Sequence, residues 1–110
     1  MEVLEKVNLC ILYDMYSELL TDRQKTIFEM YVNNDDSISE IGESLGITRQ
    51  AANDALKSVT SQLYQYESKL KLAEKYKSNV KKIDKILSFS DLNENEQEVR
   101  KILNQIKKDL

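Results

Sequence analysis

Residues that break helices are almost confined to one short stretch. The chain contains no proline, and its two glycines, Gly42 and Gly46, lie four positions apart. Without proline no position loses its backbone donor, and strong helix formers dominate a chain that is 32% charged. The expectation is an all-α protein: one compact domain with a helical extension and a modest core.

Hydrophobic period divides the chain further. Leu4, Val7, Ile11, Met15 and Leu19 recur at helical spacing and predict a first helix over Glu2–Leu20. Thr21 with Gln24 reads as a capping box for a second helix carrying Ile27, Phe28, Met30 and Tyr31. Asn33-Asn34-Asp35-Asp36 supplies the turn that ends it. Ser37 with Glu40 repeats the capping-box pattern before a short third helix edged by Ile38, Ile41 and Leu45. Gly46 then stands where a helix end favours positive φ, and Thr48 caps a fourth helix.

That fourth helix is expected to run to Tyr76, which at about 1.5 Å per residue is about 43 Å. Its stripe of Ala52, Leu56, Val59, Leu63, Tyr66, Leu70 and Ala73 alternates steps of four and three, a heptad rhythm. Tyr76, Val80, Ile83 and Leu87 continue after a change of phase, so a kink is expected near residue 77. Asp91 and Glu94 read as the cap pair of a last helix striped by Val99, Leu103, Ile106 and Leu110. The domain reading is 1–76 for the helical domain and 77–110 for the extension.

The stretch from Ser37 to Ser58 carries the functional signal. A helix-turn-helix needs a small residue where its helices touch and a turn residue that accepts positive φ. Gly42 and Gly46 fill those places, with Ile41, Leu45, Ile47 and Ala52 as the apolar positions. The second helix would be the reading helix. Advancing about 100° per residue from Arg49 puts Asn53, Lys57, Gln50 and Thr60 on one side. Ala51, Ala52, Ala55, Leu56 and Val59 fall on the other. Arg, Gln and Asn can make paired hydrogen bonds to base edges, and Thr48 with the free N–H groups of the first turn can hold a phosphate. The candidate nucleic-acid-binding residues are therefore Thr48, Arg49, Gln50, Asn53 and Lys57. Asp54 lies beside that face and repels phosphate, so a plain solvated surface is the competing reading.

Charge gives no global polycation. The net charge is −3, with 3 basic and 8 acidic residues in 1–36, and 7 basic and 3 acidic in 61–90. The second of these stretches includes Lys69, Lys71, Lys75, Lys77, Lys81, Lys82 and Lys85 around Tyr76, a grip for RNA phosphates or a solvated helix face. With no His and the single Cys10, a zinc site has no ligands, and no cofactor is expected. Cys10 is expected to be a buried small hydrophobe, and Asp35-Asp36 a turn. No phosphate loop, triad or carboxylate pair suggests an enzyme. No apolar run reaches the roughly 18 residues of a membrane span, and neither a secretory leader nor a disulfide pattern is seen, so the expected compartment is the cytoplasm. The distal end of a long striped helix needs cover, from the N-terminal helix, the C-terminal helices or a second copy of the chain, and the expectation is the second copy, a homodimer.

Thr21–Leu63 resembles the fourth-region domain of bacterial sigma factors, the likeness lying in Ser39-Glu40-Ile41-Gly42-Glu43-Ser44-Leu45-Gly46-Ile47-Thr48-Arg49-Gln50-Ala51. Residues 4 to about 76 bear a closer resemblance to the YlxM family of small bacterial proteins associated with the signal recognition particle. The motifs are Leu19-Leu20-Thr21 with Gln24, the Tyr31 to Asp36 turn, Ile47-Thr48-Arg49-Gln50-Ala51, Asp54 with Lys57, and Tyr66-Glu67 through Lys69-Leu70 to Tyr76. Where that family usually has Val-Tyr in the reading helix, this chain has Ala52-Asn53. The resemblance implies a sigma-like, dimeric helical bundle with an accessory role in co-translational targeting. Its implied partners are the particle's RNA and GTPase. A regulator that reads duplex DNA, and a scaffold that binds only protein, are the alternatives.

Overall fold

The computed structural model describes residues 2–110, and every regular element among them is helical. The helices are α1 (Val3–Tyr16), α2 (Asp22–Val32), α3 (Ile38–Leu45), α4 (Arg49–Leu70), α5 (Leu72–Leu87) and α6 (Glu96–Asp109). They divide into two compact units, with the boundary along the chain between Leu70 and Lys71.

In the first unit α1, α2 and α3 all pack on α4. Leu9, Leu12, Tyr16, Leu20, Ile27, Phe28, Ile41, Ala52, Leu56, Val59 and Leu63 form its buried core. Each large member contributes about 1.5–3 kcal/mol by leaving water. Tyr13 stacks on Phe28 with ring centroids 4.5 Å apart, and its hydroxyl donates to Glu29 at 2.7 Å. Burial, helped by that carboxylate, pushes the Tyr13 phenol up to about 12. Tyr16 donates to Glu67 at 2.6 Å.

Both capping boxes form. Gln24 N donates to Thr21 Oγ1 while Thr21 N donates to the Gln24 side chain, and Ser37 and Glu40 reciprocate in the same way. Each satisfies two backbone donors that a helix start leaves orphaned.

Several sequence expectations are corrected. The first helix ends at Tyr16, and a 3-10 turn covers Ser17–Leu19. Its buried face is Leu9, Leu12 and Tyr16, while Leu4 is 69% exposed and Val7 and Leu19 are also exposed. This helix has apolar residues on most of its circumference, so period alone selects no face; packing on α4 does. The fourth helix stops at Leu70, six residues before the expected end. Lys71 interrupts it at φ 56, in the left-handed region that a lysine rarely adopts. α5 then runs unbroken through Lys77-Ser78-Asn79, where the kink was expected. Cys10 is half-buried. Asp91 accepts from Asn93 N and Glu94 N, closing a turn ahead of α6 instead of capping it.

The second unit pairs α5 with α6. Lys82 pairs with Asp109 at 3.7 Å and Lys85 with Glu98 at 3.0 Å. Lys85 holds the Glu98 carboxyl below its ordinary range. Ile102 is buried, yet Leu72, Tyr76, Val80, Ile83 and Leu87 on α5, Leu103 on α6 and Leu110 just beyond it stay exposed. Their spacing makes each set a helix stripe, so this hairpin presents an apolar side.

Candidate nucleic-acid interface

The interface begins with the two glycines. Gly46 takes φ 67, ψ 32 at the end of α3, the left-handed geometry that lets the chain reverse. Ile47 N donates back to Gly42 O at 2.9 Å. A Cβ on Gly42 would lie 2.9 Å from the Ile47 carbonyl oxygen and 3.4 Å from the Thr48 carbonyl. Both neighbours are backbone, so only glycine lets α3 and the start of α4 approach this closely. The helix-turn-helix geometry thus forms as its residue pattern demands.

α4 presents the five predicted residues at its first turns. Thr48 accepts from Ala51 N at 3.1 Å, which caps the helix and fixes its entry. Thr48, Arg49, Gln50 and Lys57 are exposed, and Asn53 is half-buried. Ala52, Leu56 and Val59 are buried behind them. Ala51, expected on the packed face, is exposed, and Ala55 is half-buried. At the rim of that face solvent competes with packing.

The electrostatics are mixed. Among the described residues Arg49 and Lys57 stand outside every ion pair, so both charges are available to an anion. Gln50 Nε2 donates to Asp54 Oδ1 at 2.9 Å. That bond turns Asp54 toward Gln50 and occupies one donor of the amide. Glu40 and Glu43 on α3 are exposed. The Ser37 backbone N–H, and then its hydroxyl, hold the Glu40 carboxyl below its ordinary 4.5, so it stays charged.

Arg49, Gln50 and Asn53 share a hollow of about 450 Å³ with Ile38. Beside it a second groove of about 370 Å³ follows the same face of α4. Asn53, Lys57, Thr60 and Tyr64 line that groove together with Tyr31, Ile38 and Glu5 from other helices. Sequence reasoning missed Tyr31, Ile38, Tyr64 and Glu5 as lining residues. Tyr64 was reachable: steps of four, three and four along α4 join Asn53, Lys57, Thr60 and Tyr64 on one face. Glu5 and Tyr31 come from other helices and left no such trace.

Among the described residues there is no group of metal-ligating side chains, and no helix is long and apolar enough to cross a membrane.

A family model described as "UPF0122: Putative helix-turn-helix protein, YlxM / p13 like" matches residues 3–106. A UPF0122 protein of Caldanaerobacter subterraneus subsp. tengcongensis is 53% identical over 76 residues, 69% of this chain and 65% of that relative. This match spans just under two thirds of the relative's length. A UPF0122 protein of Thermoanaerobacter sp. (strain X514) is 41% identical over 103 residues, 91% of this chain and 88% of the relative. One from Clostridium acetobutylicum is 37% identical over 110 residues, 96% of this chain and 94% of the relative.

Proposed function

This chain belongs to the UPF0122 family of YlxM/p13-like helix-turn-helix proteins, and from that premise we propose that it works by binding a nucleic acid through the open face of α4. The observation that carries the reading is that Arg49 and Lys57 stand exposed and unpaired beside Asn53 on a helix locked from behind by Ala52, Leu56 and Val59. Thr48 positions the start of α4 and leaves its first turn open to a phosphate. Gln50 is assigned to the interface through its remaining donor and its carbonyl.

The YlxM resemblance makes the favoured partner the signal recognition particle, through its RNA, its GTPase or both, in the cytoplasm. The role is accessory and non-enzymatic. A gel-shift titration with the particle's RNA, a defined DNA duplex and a control RNA tests this. Preference for the particle's RNA supports the reading. Preference for the duplex replaces it with transcriptional regulation, which the helix-turn-helix fold favours on geometry alone. Binding to none leaves the protein-only scaffold. The exposed apolar stripes of α5 and α6 support a homodimer, with each copy covering the other's hairpin. Sedimentation equilibrium should then give twice the chain mass, and a monomer at micromolar concentration would remove that part.

A further inference from the structure

We infer that the groove lined by Tyr31 and Tyr64 holds one unpaired nucleobase, so that the protein grips a single-stranded segment instead of reading a closed duplex. The inference rests on the nucleic-acid reading above and goes further by naming the ligand. The groove combines what a lone base needs. Two phenol rings and the buried Leu56 offer flat and apolar surface. The Asn53 amide and the Glu5 carboxylate offer the acceptors and donors that a base edge pairs with. A volume of about 370 Å³ lies near the lower end of small-ligand pockets, which suits one base better than a stacked pair.

The site is also held in place. Lys6 lies 4.9 Å from the Tyr31 ring centroid and 3.2 Å from Asp35 Oδ1, so that ring is fixed on one side. Tyr64 is 44% exposed and has surface left to stack.

Charge argues against a duplex. Residues 1–70 hold 6 basic and 12 acidic side chains. The α4 face offers two unpaired cations, Arg49 and Lys57, and so supplies only a small share of the phosphate neutralisation and counterion release on which duplex binding draws. Stacking on aromatic rings binds a strand with fewer cations. Lys57 beside the groove, and Arg49 in the adjoining hollow, then meet the phosphates flanking the captured base.

The test uses the full chain at low salt, titrated against an end-labelled eight-nucleotide RNA strand, its DNA counterpart and a DNA hairpin whose stem contains that sequence as a closed duplex. Fluorescence anisotropy should show either single strand binding at least tenfold tighter than the duplex. The stronger of the two strands names the preferred sugar. Tyr64→Ala should weaken the strand about tenfold, while Tyr64→Phe keeps the ring and the affinity. Helical circular dichroism and Tm establish that both variants fold. Wild-type affinity in Tyr64→Ala overturns the inference. So does a duplex bound more tightly than either strand, and that outcome leaves the broader nucleic-acid reading standing. Failure of the strands, the duplex and the particle's RNA alike removes both.

Discussion

Residues up to Leu70 bury a continuous core from Leu9 to Leu63, whereas Lys71–Leu110 bury only Ala73 and Ile102. The first unit starts three of its helices with side-chain caps, at Thr21, Ser37 and Thr48. The residues that precede α5 and α6, Lys71 and Asn95, make no such bond. Their charges differ in sign as well: the first unit carries 6 basic and 12 acidic residues, the second 10 and 7. The same helix-forming composition therefore yields a bundle with its own enclosed core and a hairpin with an apolar side left over. The difference lies in topology. Three short helices can surround α4, but two helices can only lie side by side, and one side of each stays in water.

The sharpest way to break this comparison is to empty the first core. Phe28→Ala is expected to cost about 3–5 kcal/mol, because Tyr13 loses its stacking partner and a cavity remains. Urea unfolding measures it, and a loss below about 1 kcal/mol would mean that the enclosed core is not the source of the first unit's stability.

Gly42→Ala is the next largest. In an exposed helix interior that exchange would stabilise by about 1 kcal/mol. Here the added carbon meets backbone at 2.9 Å, so overpacking of about 1–3 kcal/mol should outweigh the gain. A variant with a higher Tm would show that the α3–α4 crossing can open at no cost.

Ser37→Ala should lose about 1 kcal/mol, while the acid-sensitive bond from the residue-37 backbone N–H to Glu40 survives it. The folded Glu40 carboxyl titrates below its ordinary 4.5. Its stabilisation is therefore complete above that value and is lost as pH falls through the lower folded one. Tm against pH should decline less steeply on the acid side in Glu40→Gln, which has no proton to take up. An identical acid limb would assign the loss to other carboxylates.

Arg49→Ala should leave stability within about 0.5 kcal/mol, as for an exposed residue without partners. It should nevertheless weaken every true nucleic-acid ligand. Unchanged affinity in the gel shift would take the start of α4 out of the interface and leave the first unit's contribution purely structural.

Much of the first unit was legible because its signals are local. A capping box needs residues three apart, and Gly46 needs only its own missing Cβ to take φ 67. Gly42, Gly46 and the Arg49–Asn53–Lys57 spacing placed the helix-turn-helix and its outward ridge. The buried face of α1 was not legible, because Leu4 and Val7 are as apolar as Leu9 and Leu12. Hydrophobicity says that a side chain prefers burial, not which neighbour arrives to provide it. The stop at Lys71 was equally hidden, since lysine carries no preference for the backbone angle it takes there.

The sequence by itself determined an all-helical chain, the places where its first helices begin, and which side of α4 is polar. These follow from backbone sterics, capping hydrogen bonds and the 3.6-residue period, all of which act within a few residues. Tertiary structure alone decided which face of α1 enters the core, and that Glu5 and Tyr31 line a groove with Tyr64. Those outcomes depend on distances between residues far apart in the chain, and such distances exist only once the helices have packed.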